Sequence, residues 1–224
     1  MIGMIVVAAG HGARFGGDTP KQFLRLKDRP LLAYSLLTAE QLPAVDLVVL
    51  VTAPEWKSYI EQEILERFDI RKVRAIVAGG KERQDSVAAG LQAIRGTPEF
   101  VAVHDAVRPF FSSQLFERVV VGCQFADACI PAIAPCDTVK QVSQNLVVRT
   151  LPRETLRLAQ TPQLFKRHAL AGAFEFARQH GLQGTDEAAL IEAAGGTVAW
   201  VEGEESNLKI TTPMDLLIAE ILCQ

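Results

Sequence analysis

Apolar runs rich in β-branched residues recur along this chain at Met4 to Ala8, Asp46 to Thr52, Val73 to Ala78, Phe100 to Val103 and Ala128 to Ile133. Helical patterns separate them, from Pro30 to Leu42, Glu55 to Arg67, Ser86 to Arg95 and Ser113 to Phe125. A strand that is apolar on both faces must be covered on both, and a connection long enough to hold a helix lets neighbouring strands run parallel. The alternation therefore predicts an α/β architecture in which a mainly parallel sheet is flanked by helices. In such sheets ligands bind beyond the carboxyl ends of the strands, so the loops that follow each strand are where function is to be sought.

The rest of the chain departs from this rhythm once. From Asp137 to Leu151, "DTVKQVSQNLVVRTL" reads as two short alternating strands around "SQN", a hairpin that leaves the main sheet. A lone hairpin is marginally stable in water, so this arm, taken as 137–155, needs something to pack against. A second copy of the chain is a plausible partner. Helices follow at Lys166 to His180 and Glu187 to Ala194, strands at Thr197 to Val201 and Leu208 to Ile210, and a last helix at Pro213 to Cys223. With 224 residues, 49% of them hydrophobic, the chain suits a single Rossmann-like domain over 1–224 with one large core.

Charge excludes some partners. The 23 basic and 26 acidic residues leave a net charge of −3, which gives no general attraction to nucleic acid or to a membrane surface. No stretch approaches about 18 consecutive apolar residues, and the N-terminus lacks the basic start of a signal peptide. Cys123, Cys129, Cys136 and Cys223 form no Cys-x-x-Cys pair and read as small core residues in a reducing compartment. The four histidines do not cluster at metal-ligand spacing. A cytoplasmic protein without a protein-bound structural metal is the expectation.

Phosphate binding, if present, must be local, and the first loop offers it. "VVAAGHGARFGGDTPKQF" carries Gly10, Gly12, Gly16 and Gly17 with Arg14 and Lys21 directly after the first strand. A dinucleotide fingerprint needs G-x-G-x-x-G, and here Gly16 comes one position late, with no acidic residue at the end of the second strand. The spacing of a Walker A loop is absent too. Yet glycines let backbone N–H groups approach an anion, Arg14 offers a planar fork, and Lys21 a compact charge, a set suited to a polyphosphate. A solvated glycine-rich turn is the plainer alternative; the position after a strand and the two cations favour phosphate.

This loop looks like the signature of nucleotidyltransferases that activate sugar or polyol phosphates. Further blocks point to one branch: "GGKERQDSV" from Gly79, "VHDAVRPF" from Val103, "PCDTVKQV" from Pro135, "LAQTPQLF" from Leu158, "GTDEAALIE" from Gly184 and "VEGEESNLKITTPMDL" from Val201. Over almost its whole length the chain resembles the 2-C-methyl-D-erythritol 4-phosphate cytidylyltransferases. The resemblance implies transfer of the cytidylyl group of CTP to that polyol phosphate, with release of pyrophosphate, in non-mevalonate isoprenoid synthesis. Transfer to another polyol phosphate such as ribitol 5-phosphate is the alternative within the class, and a nucleotide-binding regulator that has lost catalysis the alternative outside it.

By resemblance, Arg14 and Lys21 hold the triphosphate and stabilise the transition state, Lys209 sits near the reacting phosphates and helps position the incoming substrate, Arg153 joins these three as a catalytic residue, and backbone groups of Ala8, Ala9, Gly10 and Gly12 surround the nucleotide. Gly80, Lys81 and Ser86 would read cytosine, although Asp85 or Ser86 also reads as a helix cap. Asp105 and Ala106 would lie near ribose and base, with Asp105, Arg108, Thr138, Arg153, Thr161 and Lys209 meeting the polyol phosphate. Asp105 and Arg108 alternatively pair with each other, Lys209 and Arg153 alternatively are exposed charges, and His104 reads as a packed neighbour. Family arms interlock in a homodimer, which would carry Arg153 to the partner's site. Thr185 and Asp186 read as a helix N-cap without chemistry. Magnesium is expected to bind mainly through the phosphates of CTP. Since a phosphate monoester has its second pKa near about 6, the attacking group is already largely dianionic at neutral pH, and no general base is needed.

Overall fold

The computed structural model describes residues 1–10 and 19–223. Arg14 and Gly12 lie outside the described residues. The elements run β1 (Ile2–Ala8), β2 (Arg25–Leu26), β3 (Arg29–Pro30), α1 (Leu31–Gln41), β4 (Val45–Thr52), α2 (Lys57–Ile60), β5 (Val73–Ala78), α3 (Arg83–Ala93) and β6 (Phe100–Asp105). They continue with α4 (Ser113–Gly122), β7 (Ala128–Ile133), β8 (Lys140–Ser143), β9 (Leu146–Thr150), β10 (Leu158–Ala159), β11 (Gln163–Lys166), α5 (Arg167–His180), α6 (Glu187–Ala193), β12 (Val198–Glu202) and α7 (Pro213–Leu222). The helix expected over Glu55 to Arg67 is composite: a 3₁₀ turn at Pro54–Trp56 leads into α2, which widens into a π-helix at Glu61–Glu66.

Eight strands form the main sheet in the order β10, β7, β11, β6, β1, β4, β5, with β12 also on β7. β1 lies parallel to β4 and β6, β4 to β5, and β7 to β12. β11 runs antiparallel between β6 and β7, and pattern reading gives no strand there. Its sequence "QLFK" is too short to display a period and runs directly into α5; only insertion between two neighbours defines it. The strand expected at Leu208 to Ile210 does not form. Ile210 donates one hydrogen bond to the Val107 carbonyl at 2.9 Å, and its apolar neighbours serve a small cluster with Leu26, Leu31 and Ala219 instead of a sheet face.

Period-two alternation divides the core between the two sheet faces. Met4, Val6 and Leu50 pack with Leu36 of α1 and Phe116 of α4, while Ile5, Val51 and Val103 pack with Val87 of α3 and Leu170 of α5. Gly90 permits the close seat of α3 on β1, because a side chain there would meet Ile5 Cγ2 at 2.6 Å. β8 and β9 pair only with each other, and every residue of both is exposed. Cys123 and Cys129 are buried as expected of core thiols; Cys136 is exposed and Cys223 half-buried, and all four are free. Among the described residues no helix is long and apolar enough to cross a membrane.

Candidate active site

The carboxyl ends of β1, β5 and β6 open into a cleft of about 310 Å³, with Ala8, Ala9 and Gly10 on one wall and Gly80, Lys81 and Ser86 on another. Lys21 enters it on a short, well-anchored segment. Pro20 starts a 3₁₀ turn at Lys21–Phe23, in which Gln22 donates its side-chain amide to the Ala8 carbonyl at 2.6 Å. Phe23 is buried and stacks on Trp56 with ring centroids 4.3 Å apart. The residues after Lys21 thus tie it to both the first strand and the core.

The opposite wall is a strand-to-helix turn whose polar groups are spoken for. Glu82, not Asp85 or Ser86, is the N-cap of α3, and Asp85 completes a capping box by accepting from the Glu82 N–H at 3.0 Å. Ser86 lies within the first turn; its hydroxyl donates to the Glu82 carbonyl and accepts from the Gly80 N–H, both at 3.1 Å. A side chain at Gly79 would collide with Cβ of Ala9, so the two loops touch only because this residue is glycine.

Asp105, at the end of β6, is the charged centre. Its Oδ2 lies 2.6 Å from Lys209 Nζ and its Oδ1 accepts from Arg83 Nε at 3.2 Å. The pairing of Asp105 with Arg108 weighed from sequence is absent. Burial would raise the Asp105 carboxyl, but the charges of Arg83 and then Lys209 outweigh it and hold it well below the usual carboxylate range. The ring of Arg83, Asp105 and Lys209 also borders a second chamber of about 200 Å³ that Arg108, Thr161 and Thr185 line.

In that chamber Arg108 is 9% exposed, donates from Nη1 to the Asn207 carbonyl at 2.8 Å, and leaves its Nε without a hydrogen-bond partner. A guanidinium lining a small chamber suits an anion. Thr161 is more constrained. Burial lowers His104 to about 3, so its ring is neutral; Nε2 faces the Arg108 carbonyl at 3.1 Å and must donate, leaving Nδ1 as an acceptor. The Thr161 hydroxyl therefore donates to Nδ1 at 3.0 Å while accepting from the Asp105 N–H at 3.1 Å. Its remaining lone pair can only accept, so it can meet a hydroxyl of a ligand but not a fully ionised phosphate.

The structure thus brings Ala8, Ala9, Gly10, Lys21, Gly80, Lys81, Ser86, Asp105 and Lys209 into one cleft, with Arg108 and Thr161 in the chamber beside it. Ala106 is buried, its N–H on the Val7 carbonyl and its own carbonyl accepting from Ser35, and Val107 lines the cleft instead. Thr138 and Arg153 are exposed on the arm and line neither chamber; Arg153 donates to the Cys136 carbonyl at 3.1 Å. Sequence reading passes over Arg83 and Glu187 although both lie inside quoted blocks; of Thr185 and Asp186, read as a helix N-cap without chemistry, Asp186 is the N-cap of α6 and Thr185 lines the second chamber. The signal available for Arg83 was a cation in the first turn of a helix, where the macrodipole disfavours it unless an acid compensates.

A family model described as 2-C-methyl-D-erythritol 4-phosphate cytidylyltransferase matches residues 2–224. The chain belongs to that family. A cytidylyltransferase of this name from Geotalea uraniireducens is 43% identical over 218 residues, covering 96% of this chain and 94% of its own. A bifunctional enzyme, IspD/IspF, from Desulforudis audaxviator is 46% identical over 97% of this chain and 55% of its own length. Among solved structures, the 4-diphosphocytidyl-2C-methyl-D-erythritol synthase of Anaerococcus prevotii superposes with a TM-score of 0.88 at 31% identity, covering 100% of this chain and 96% of that one. The cytidylyltransferase family also includes the Francisella tularensis structure, at a TM-score of 0.83 and 31% identity over 98% of both chains.

Proposed function

We propose that this chain transfers the cytidylyl group of CTP to 2-C-methyl-D-erythritol 4-phosphate, releasing pyrophosphate, in isoprenoid precursor synthesis. Family membership supports the reaction, and one observation supports its location: two chambers, one walled by backbone and lysines and one by a buried arginine, share Asp105 and Lys209. CTP would occupy the cleft and the polyol phosphate the smaller chamber, so that its dianionic phosphate attacks the α-phosphorus across Lys209. Lys21 and Lys209, with Arg14, would neutralise the charge that builds up on the phosphates, and Arg108 would hold the incoming phosphate. Backbone groups near Gly80 and Lys81 with the Ser86 hydroxyl would read the base, and Asp105 and Thr161 would accept from hydroxyls of ribose or polyol.

The donor set fits a magnesium ion carried by the nucleotide. Among the described residues no three His, Cys, Asp or Glu side chains gather, and both oxygens of Asp105 already hold cations. Phosphate oxygens, steadied by Lys21 and Lys209, would hold the ion, which would supply charge neutralisation and a template for the reacting groups.

The arm would join two copies as a homodimer, with Thr138 and Arg153 serving the partner's polyol-phosphate chamber. Incubation of the purified protein with CTP, magnesium and each of a panel of polyol phosphates, followed by pyrophosphate release, tests the reading. Turnover with methylerythritol phosphate is expected, and turnover confined to ribitol 5-phosphate would overturn it.

A further inference from the structure

Four charged side chains meet between the two chambers, and Glu187 lines neither of them. It stands at the start of α6, 1% exposed at its side chain, and both its carboxylate oxygens accept from Arg83 Nη1 at 2.8 Å. Arg83 then reaches Asp105 Oδ1 through Nε at 3.2 Å, and Lys209 occupies Asp105 Oδ2 at 2.6 Å. A relay therefore runs from α6 through α3 to the end of β6 and on to the segment before α7.

A buried carboxylate beside a site for two polyanions is unfavourable on two counts: burial penalises its charge, and its field repels the incoming phosphates. Burial indeed pushes the Glu187 carboxyl up, against the pull of Arg83. The arrangement is explicable through Arg83, whose side chain is 28% exposed and would otherwise turn from Asp105 to a bound phosphate. Asp186 sets the register of Glu187, accepting from the Ala189 N–H at 3.0 Å and from Gln163 Nε2 at 2.8 Å.

We infer that Glu187 is a positioning residue that locks Arg83 onto Asp105. When Lys209 leaves Asp105 for a phosphate, Arg83 stays behind, held by two carboxylates through Nε and Nη1, and keeps Asp105 ionised and aimed at the hydroxyls of the polyol. Arg83 on this account is a fixed counter-ion and Lys209 the mobile one. The same relay read as a purely structural clamp between α3 and α6 would predict lost stability and no preference between substrates.

The inference rests on the reading that the polyol phosphate occupies the Arg108 chamber. Steady-state kinetics of Glu187→Gln, which keeps the shape and removes the charge, is expected to raise KM for the polyol phosphate about tenfold while KM for CTP stays within about twofold. In an Arg83→Met background the same substitution is expected to change KM by less than about twofold, because the residue it acts through is gone. Equal rises in both KM values, an unchanged polyol KM, or additive effects in the double variant overturn the inference. Should Glu187→Gln not fold, Arg83→Lys, which keeps the charge and loses the fork, is expected to give the same KM split, and an even effect on both substrates overturns the inference. A wild-type protein that does not turn over the polyol phosphate overturns the functional reading and this inference together; active wild type with a silent Glu187→Gln overturns the inference alone.

Discussion

The cleft and the arm are built on opposite principles. Around the charged centre of the cleft the partners are distant in sequence: Asp105 on Arg83 and Lys209, Arg108 on Asn207, Gln22 on Ala8. On the arm the hydrogen bonds are local, Lys140 to Thr150 at 2.7 Å and Arg149 to Gln141 at 2.7 Å, and Val142, Leu146, Val147 and Val148 are all exposed. Side chains held by distant elements keep their geometry without a ligand. A two-stranded ribbon whose apolar side chains are uncovered does not have that support. The cleft is preorganised for charge, whereas the arm leaves its apolar side chains uncovered.

The largest expected effect falls on the preorganised region. Lys21→Ala should lower kcat about 100- to 1,000-fold, the magnitude of losing one aimed electrostatic donor, with the far-UV circular dichroism unchanged. Near-normal turnover would remove Lys21 from the chemistry and leave the cleft a binding surface only. Arg153→Ala should act differently, raising KM for the polyol phosphate roughly 10- to 100-fold, as for a lost charge-assisted hydrogen bond, with KM for CTP little changed. If the arm serves a partner's chamber, mixing Lys21→Ala and Arg153→Ala proteins should restore part of the activity in mixed dimers. No restoration on mixing would make each site self-contained and end the contrast.

The smallest effect concerns stability and sharpens the same contrast. His104 stays neutral in the folded protein until about pH 3, whereas in the unfolded chain it takes up a proton near 6.5. Because the unfolded state binds more protons in that window, stability falls as pH drops through it, by at most about 1.4 kcal/mol per pH unit for this one group. Denaturant titrations of His104→Gln between pH 6.5 and 4 should give a shallower slope than wild type. An unchanged slope would mean that burial does not hold the His104 ring neutral.

Much of this was legible beforehand because it depends on local pattern. Met4 to Ala8 and Ala128 to Ile133 are mostly buried strands and Val73 to Ala78 a partly exposed one at the edge of the sheet, all at apolar runs visible in the sequence, and the arm is a hairpin because "KQVS" and "LVVRT" flank a turn in which Gln144 takes the left-handed conformation. Lys21, Asp105 and Lys209 fall into quoted blocks and meet in one cleft. β11, Arg83 and Glu187 escaped for one physical reason. Each is defined by a neighbour far along the chain: β11 by the strands on either side, and Arg83 and Glu187 by each other across 104 residues.

The sequence by itself determined the architecture, because strand and helix periodicities are written in consecutive residues and must agree with burial on both sheet faces. Its quoted blocks, by their resemblance, also pointed to the family to which the chain belongs. Only the tertiary structure decided which charges pair. Electrostatic partnership depends on distance and burial after folding, and these place Asp105 between Arg83 and Lys209, leave Arg108 a donor to spare, and turn Glu187 from an ordinary first-turn acid into the anchor of the site.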